Sequence, residues 1–485
     1  MAYLTAAGIE ACVQYLAATY PGFCQAIVLP ETSVEGRTSR ALKIASGGGQ
    51  RRGVLFLGGV HAREIVNPDL LVSFALDLCQ AYEGGTGLTF GQKSYDPVIV
   101  KLIVEALDVF VIPLVNPDGR EYVQAPGGDV WWRKNRRFDP ASGCYGVDLN
   151  RNFDLLWSSG IGTSSNPCDY QIYKGPSAFS EPETRNVRWL LDTYPQIEGM
   201  IDIHSYSDDL LYPWGDADDQ TTDPSKNFQN PAYDGLRGVP GSTIYGEYMP
   251  QPDLDWLTAT GNSVEAAIQA VRGTTYTVKQ SIGLYPTSGT SDDYSYSRHF
   301  VDGAKSRVYA YTLETGTEFQ PPYSEAVNII TEVSSGLVQF CLECLCSITE
   351  VARGTGLMGR LDALRQFRDQ TLLATGAGAG FAALLRKHSA ELAQLLAADH
   401  AMRDQAADLL AAVEAAASGN AAIEANLVSR AQQLASQLSE RSGPEFRDAL
   451  VAAARDAEHF RGRTIPEALH VMDGQAETKP PSGPP

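Results

Sequence analysis

The stretch that decides the fold is Leu55-Phe56-Leu57-Gly58-Gly59-Val60-His61-Ala62-Arg63-Glu64. Its apolar run predicts a buried strand, and the two glycines that follow predict its end. His61 and Glu64 stand three residues apart and share one face of a helical turn, so both can reach the same ion. Zn²⁺ accepts imidazole and carboxylate ligands. The pair therefore indicates either a zinc site that needs a third, distant ligand or a surface pair without a metal.

Length and composition place the chain among globular proteins. Its 485 residues suffice for two or three domains, and hydrophobic residues make up 44% of them. The net charge of −20 argues against nucleic acid or an anionic membrane as a partner. No apolar run reaches the roughly 18 residues that a membrane span needs. Residues 1–5 lack the pattern of a secretory signal, so the default expectation is a cytoplasmic protein.

The first 346 residues alternate short apolar runs with helical patterns, which is typical of an α/β sheet. The predicted strands are Val54–Leu57, Val109–Leu114, Met200–Ile203 and Val308–Leu313. Each is followed at once by polar residues, and ligands of open α/β sheets bind beyond the carboxyl ends of the strands. We therefore expect one shared site at that edge of the sheet.

The composition changes after residue 346. Residues 347–470 carry narrow apolar stripes at helical spacing, which suit either an ordinary helical core or a surface for a protein partner. Within them, residues 374–380 are rich in glycine and predict a flexible turn. Residues 471–485 predict a disordered, proline-rich tail.

Three cysteines lie close together near the end of a predicted helix over residues 323–346. Their spacing, Cys-x-x-Cys-x-Cys, allows either part of a metal site or an inert cluster. No fourth ligand follows nearby, so both interpretations stay open for Cys341, Cys344 and Cys346.

The third metal ligand is most simply supplied by His204, which directly follows the predicted strand Met200–Ile203. Glu314 stands at the end of another predicted strand. A carboxylate beside a metal can take a proton from water and pass it to a leaving amine. The alternative for Glu314 is a solvated residue at the rim.

Two further segments carry side chains that could bind negatively charged groups. Arg133 follows a pair of tryptophans and can stabilise an oxyanion, although a plain surface patch is the alternative. Asn150 and Arg151 stand side by side, and a guanidinium can hold a carboxylate through two hydrogen bonds. Such a pair would recognise the free end of a peptide.

In combination, eight segments resemble the zinc carboxypeptidases of the carboxypeptidase A/B family, over roughly residues 1–346. They follow the order and spacing of that family. The segments are residues 33–37, His61-Ala62-Arg63-Glu64, Asn116-Pro117-Asp118-Gly119, Trp132-Arg133-Lys134, residues 148–152, His204-Ser205-Tyr206-Ser207, residues 284–289 and Leu313-Glu314.

The resemblance implies a mixed, twisted sheet with helices on both faces and an enzyme that hydrolyses C-terminal peptide bonds. It also implies one zinc ion per chain and assigns the site residues. The zinc ligands would be His61, Glu64 and His204, the general base Glu314 and the oxyanion donor Arg133. The residues that contact the substrate would be Arg63, Asn150, Arg151, Tyr285 and Asp292.

The position of Asp292 lies at the floor of the side-chain pocket in this family. A carboxylate there resembles the B-type enzymes, which remove lysine or arginine, since a buried charge needs a counter-ion. Some relatives with aspartate at this position also accept apolar ends. We therefore expect a preference for basic C-terminal residues with some acceptance of apolar ones.

The resemblance further implies a disulfide between Cys144 and Cys168, which closes a ring of about 25 residues. A disulfide suits an exported protein, in contrast to the default expectation from residues 1–5.

Two other functions remain as alternatives. One is a related zinc amidohydrolase acting on a peptidoglycan stem peptide or an N-acyl amino acid. The Asn150–Arg151 pair and Tyr285 argue against it, because they would serve a free α-carboxylate. The other is a scaffold with a silent catalytic site that binds a partner through its helical C-terminal region.

Overall fold

The structure is a computed structural model that describes residues 3–47, 51–345, 367, 371–372 and 375–477. These residues separate into two compact units. One contains the described residues of Met1–Gly47 and Arg52–Cys344, and the other contains those of Gly48–Arg51 and Leu345–Pro485. The domain limit at residue 346 stays a prediction.

Strands of the first unit form one large mixed sheet and three small two-stranded sheets. The strands are β1 (Cys24–Val28), β2 (Arg40–Ile44), β3 (Arg52–Gly58), β4 (Leu88–Phe90), β5 (Lys93–Tyr95), β6 (Leu107–Ile112), β7 (Phe138–Asp139), β8 (Cys144–Tyr145), β9 (Ile197–His204), β10 (Asp209–Tyr212), β11 (Asp219–Thr221), β12 (Gly246–Tyr248), β13 (Thr277–Gln280) and β14 (Tyr309–Glu314). The eight strands of the large sheet follow the order β1-β2-β6-β3-β9-β14-β10-β13.

Helices cover both faces of this sheet. They are α1 (Ala6–Thr19), α2 (Val66–Gly84), α3 (Pro97–Ala106), α4 (Pro117–Gln124), α5 (Pro182–Thr193), α6 (Gln251–Arg272), α7 (Ser291–Val301) and α8 (Tyr323–Cys344). Successive residues of a strand point to opposite faces. Accordingly Phe56 of β3 meets aromatic rings of α2 and α8, whereas Leu55 and Leu57 belong to the cluster that contains residues of α5 and α7.

The four central strands β6, β3, β9 and β14 run parallel, and antiparallel pairings occur at β1–β2, β2–β6 and β10–β14. The carboxyl ends of β3, β9 and β14 therefore meet at one edge, where His204 pairs in register with Glu314. The predicted mixed α/β fold is confirmed for this unit.

Strand β6 begins and ends two residues earlier than the sequence predicts. It covers Leu107–Ile112 instead of Val109–Leu114. Pro113 has no N–H group for the ladder, which ends the strand. Asp108 is accommodated inside the strand because its carboxylate lies 2.8 Å from Lys43 Nζ and 3.0 Å from Gln196 Nε2.

The second unit is helical, as predicted. Its α-helices cover Gly376–Lys387, Ser389–Ala398, His400–Ser418, Ala425–Ser439, Pro444–Asp456 and Ile465–Glu477. The predicted apolar stripes pack together in a buried cluster that includes Met402, Leu409, Leu434 and Leu438. An ordinary helical core thus explains them, and a partner surface in this region stays a prediction.

Two details of the C-terminal prediction are wrong. Residues 376–380 of the glycine-rich segment begin a helix, because Asp473 accepts bonds from the N–H groups of Gly376 and Ala377 and Thr375 accepts one from Gly378. The last helix continues to Glu477, past the expected start of the tail at residue 471. Residues 478–485 of that tail lie outside the described residues.

Among the described residues, the group of potential metal ligands does not include Cys341 or Cys344. Cys341 and Cys344 are buried at the end of α8, and burial raises the pKa of both thiols well above the ordinary value. A thiol in that state is a poor metal ligand, because thiolates bind metals. Cys346 lies outside the described residues.

Among the described helices, we find none with the length and apolar character needed to cross a bilayer.

Candidate active site

Three buried side chains converge at the carboxyl edge of the sheet. His61, Glu64 and His204 each offer one ligand atom, and these atoms lie within 4.8 Å of one another. His61 Nδ1 is 2.8 Å from Glu64 Oε1 and 3.0 Å from His204 Nδ1. His204 Nδ1 is 3.2 Å from Glu64 Oε2. The structure thus brings together the three predicted metal ligands.

Acidic neighbours orient both imidazoles toward a common point. His61 Nε2 lies 3.1 Å from Asp148 Oδ1, and His204 Nε2 lies 3.1 Å from Asp202 Oδ2. Because an ionised carboxylate only accepts hydrogen bonds, each ring keeps a proton on Nε2 and points Nδ1 inward, where a lone pair is free whenever that nitrogen is unprotonated. Two lone pairs and the Glu64 carboxylate then face one another, an arrangement that suits a cation. This donor set fits zinc.

The charges of these three residues and their acidic neighbours strongly influence one another's pKa values. Burial disfavours the charged form of Glu64, but His61 and His204 outweigh it and hold its pKa well below the usual range. Burial likewise disfavours the charged form of His204, but Asp202 and Glu64 raise its pKa well above the ordinary value. The negative potential that these acids create favours a positive charge at the centre of the cluster.

The turn after β3 requires glycine at position 59. Gly59 adopts a φ of 64°, and a Cβ atom there would lie 2.7 Å from Leu114 Cδ1 and 2.9 Å from Pro68 Cγ. This turn leads the chain to His61, whose carbonyl accepts a bond from Glu64 N at 3.3 Å. The two side chains therefore share one turn, as the spacing predicts.

Glu314 is the last residue of β14 and is buried beside His204. Burial raises its pKa to about 7, with Glu64 adding to the rise and with His204 and Arg133 opposing it. A carboxyl group with this pKa exchanges a proton readily near neutral pH. Its position is that expected of a general base.

Arg133 and the metal cluster are linked through Asp148. Arg133 Nε donates to Asp148 Oδ2 at 3.0 Å, and Arg133 Nη1 lies 3.8 Å from Glu64 Oε1. Burial opposes the charge of Arg133, but Asp148 and its other neighbours raise the pKa further above its ordinary value. The side chain therefore stays positively charged next to the cluster, as an oxyanion donor must.

A cavity of about 630 Å³ opens next to these residues. Its lining includes Arg63, Arg133, Arg151 and Tyr285. Arg151 is held by Nε and Nη1, which donate to the carbonyls of Gly162 at 2.9 Å and Asn150 at 2.6 Å. Tyr285 is 44% exposed, and its ring centroid lies 5.8 Å from Arg151 Cζ. The cavity thus combines three cations with an accessible phenol.

Asn150 lies between the cavity residues and the metal cluster. Its Oδ1 accepts from Ser291 N at 2.8 Å, and its Nδ2 lies 3.5 Å from His204 Nε2. Because His204 Nε2 donates to Asp202, it is no acceptor for the amide of Asn150. A role for the N–H groups of that amide in binding a substrate stays a prediction.

Asp292 is buried in the first turn of α7, where its Oδ2 accepts from Ser281 Oγ at 2.9 Å. Other buried acids surround this region. Gly215 N donates to the carboxylate of Asp293 at 3.0 Å. The backbone carbonyl of Asp216 accepts a hydrogen bond from the N–H group of the cavity residue Gly238 at 2.6 Å. Asp292 is not among the residues that line the cavity in the described chain. The expected position of Asp292 at the floor of the side-chain pocket stays a prediction.

Cys144 and Cys168 form a disulfide with a sequence separation of 24. Lys134 Nζ donates to the carbonyl of Asp169, next to this bridge. These contacts hold the loop that contributes Gln171 and Ile172 to the cavity.

Sequence reasoning assigned no role to Asp148 or Asp202, although both contact an imidazole of the cluster. A signal for Asp202 was present, because it precedes His204 by two residues and shares its face of strand β9. Asp148 precedes the Asn150–Arg151 pair, but its contact with His61 spans 87 residues. Local patterns do not reveal such a contact.

Replacing Asp202 with asparagine is expected to weaken zinc affinity about tenfold, since a neutral amide accepts the Nε2–H bond of His204 less strongly than a carboxylate and leaves the imidazole a weaker ligand. Competition with a fluorescent zinc chelator measures this without reference to activity. Glu198→Gln on the same strand is the matched control, because Glu198 pairs with Arg52 instead. Equal affinity in both variants would rule out the role of Asp202.

Comparison with known proteins identifies similar sequences over the first unit. The family model described as zinc carboxypeptidase matches residues 9–335. Carboxypeptidase B of Astacus astacus is 31% identical over 309 residues, which cover 63% of this chain and 84% of that protein. Carboxypeptidase B of Bos taurus is 30% identical over 344 residues, covering 68% of this chain and 70% of that protein.

Solved structures with the same fold include bovine thrombin-activatable fibrinolysis inhibitor in complex with tick carboxypeptidase inhibitor. That chain has a TM-score of 0.55 and 23% identity, with 71% of this chain and 97% of that chain covered. Carboxypeptidase A from Helicoverpa armigera has a TM-score of 0.54 and 23% identity, covering 70% of this chain and 72% of that chain. At this identity the likeness concerns the fold.

Proposed function

The chain belongs to the zinc carboxypeptidase family and is a metallocarboxypeptidase, and from that premise we propose that it releases C-terminal residues, preferentially lysine and arginine, from peptides and proteins. The observation that carries this proposal is the cavity with Arg63, Arg133, Arg151 and Tyr285 beside the His-Glu-His cluster. Guanidinium groups bind carboxylates and developing oxyanions better than any other side chain.

The family is zinc-dependent, and His61, Glu64 and His204 would hold the ion. When bound, zinc supplies Lewis-acid chemistry, which polarises the carbonyl group of the substrate. In our proposal Glu314 takes the proton of the attacking water and passes it to the leaving amine, for which its pKa of about 7 is suited. Arg133 stabilises the negative charge that develops on the carbonyl oxygen.

The free end of the substrate would be fixed by residues on the other side of the cavity. Arg151 is positioned by two backbone carbonyls, so little side-chain entropy is lost when it binds a carboxylate. Asn150 contributes amide N–H groups, and Tyr285 closes over the bound end. Arg63 lines the cavity, and its Nε has no hydrogen-bond partner among the residues that the structure describes.

The preference for basic side chains rests on charge. Asp292, Asp293, Asp216 and Glu247 are all buried in this region. Arg237 pairs with the last two, at 3.6 Å and 3.5 Å. The acids outnumber this cation, and a buried carboxylate is stabilised by an incoming cation. Several relatives are named carboxypeptidase B, which agrees with this preference.

A panel of peptides that differ only in the last residue tests the proposal. We expect peptides ending in lysine or arginine to be cleaved about tenfold faster than those ending in phenylalanine or leucine, because their charge meets Asp292. Mass spectrometry of the released residue measures this. The matched control is each peptide with an amidated C-terminus, which should be cleaved much more slowly. Equal cleavage of free and amidated peptides would favour the zinc amidohydrolase instead.

The scaffold alternative has less support, because the proposed ligands, the proposed base and the cavity cations all lie together in this chain. Stoichiometric zinc in the purified protein together with turnover would exclude it. The disulfide between Cys144 and Cys168 supports an oxidising compartment and hence an exported protein.

A further inference from the structure

The segment that carries Asp148 is fixed by a buried amide, that of Asn135. Asp148 Oδ2 accepts from Arg133 Nε at 3.0 Å, and its Oδ1 lies 3.1 Å from His61 Nε2. The preceding residue, Val147, donates its N–H group to Asn135 Oδ1 at 2.8 Å, and its carbonyl accepts from Asn135 N at 3.0 Å. Asn135 is fully buried. Its side chain and backbone together therefore set the position of the residue next to Asp148.

Two buried glutamates at the start of helix α5 determine which way this amide points. Asn135 Nδ2 donates to Glu181 Oε2 at 2.7 Å and to Glu183 Oε2 at 3.3 Å. Only the nitrogen of an amide can donate, so Nδ2 must face the glutamates. Oδ1 then faces the N–H groups of Val147 and Arg137. The glutamates thus hold the amide in the orientation that Val147 requires.

The two glutamates differ in charge. Glu181 Oε1 accepts from Arg137 Nη1 at 2.8 Å and from Ser180 Oγ at 2.7 Å, and these bonds stabilise its carboxylate. Glu183 is buried, and its Oε1 has no hydrogen-bond partner among the described residues. Burial and the neighbouring Glu181 raise the pKa of Glu183 to about 8, which favours its neutral form at pH 7. Asn135 is therefore held by one charged acceptor and one neutral acceptor.

We propose that Asn135, held by the two glutamates, is a positioning residue that keeps Asp148 in place. A displaced Asp148 would no longer orient the guanidinium of Arg133 or the imidazole of His61. This inference rests on the proposed role of Arg133 as the oxyanion donor. A group that acts on charge developing in the transition state affects kcat more than KM. A purely structural amide would affect the stability of the protein alone.

Replacing Asn135 with alanine tests the proposal. We expect kcat on the preferred peptide to fall about tenfold while KM stays within about twofold, because Arg133 is no longer held for the oxyanion. Zinc affinity, measured by competition with a fluorescent chelator, should fall about threefold, because the carboxylate that orients His61 shifts with the same segment. A folded variant that retains the kcat of the wild type would overturn the proposal.

Asn186→Ala is the matched control, because Asn186 is a similarly buried amide on helix α5 that holds a different segment. Its Oδ1 accepts from Glu31 N at 3.0 Å, and its Nδ2 donates to Glu31 O at 2.8 Å. This variant should lose thermal stability but keep the kcat and zinc affinity of the wild type. An equal loss of kcat in both variants would trace the effect to general destabilisation and overturn the proposal.

Glu181→Gln provides a second test if Asn135→Ala does not fold. A neutral acceptor binds the amide of Asn135 about half as strongly as a carboxylate does, so we expect kcat to fall about threefold. An unchanged kcat in this variant would also overturn the proposal. Wild-type protein that binds zinc but cleaves none of the peptides would instead contradict the proposed function, and zinc affinity alone would then test the role of Asn135.

Discussion

Replacing Glu314 with glutamine is expected to lower kcat about 10³-fold while the zinc content stays that of the wild-type protein. Glutamine keeps the size of the side chain but cannot accept the proton of water. The carboxyl group is buried at the end of strand β14 and is not a member of the His-Glu-His cluster. The measurement is steady-state kinetics on the preferred peptide together with metal analysis of the same preparation.

Glu318→Gln is the control for this change. Glu318 lies four residues further along the chain and is exposed, so its neutralisation removes the same charge without touching the site. Its activity should match that of the wild type. Near-full activity in Glu314→Gln would show that another group serves as the base. Loss of zinc in that variant would instead point to Glu314 as part of the metal site.

Replacing Asp292 with asparagine is expected to reduce the preference for lysine over phenylalanine ends about tenfold, which leaves the two ends cleaved at similar rates. The charge attraction that favours lysine is lost, and a buried ammonium without a counter-ion is costly. Asparagine retains an oxygen that can accept the bond from Ser281, so the packing of helix α7 is preserved. The ratio of kcat/KM for two peptides that differ only in their last residue measures the change.

Asp154→Asn controls for the loss of one negative charge, since Asp154 is exposed. The preference should survive in that variant. An unchanged lysine-to-phenylalanine ratio in Asp292→Asn would mean that another acid, such as Asp216 or Glu247, receives the basic side chain. Both are buried close to Arg237 in the same region.

Short-range patterns accounted for the elements that surround the candidate site. The apolar run of strand β3 and the spacing of His61 and Glu64 depend on neighbours within a few residues, where periodicity is informative. The same logic failed at the glycine-rich segment, because the first N–H groups of the helix there donate to the carboxylate of Asp473, nearly a hundred residues away. A secondary-structure propensity is averaged over neighbouring residues, so it cannot detect a hydrogen-bond partner that is so distant in sequence.

By itself the sequence determined that the chain is an α/β protein with a helical C-terminal region and that it carries the ligand types of a zinc site. Only the tertiary structure decided that His204 and Glu314 stand side by side, because the parallel register of β9 and β14 sets that distance. It also decided that Asp148 and Asp202 orient the two histidines. Composition and spacing act along the chain, whereas these contacts depend on how distant strands pair across the sheet.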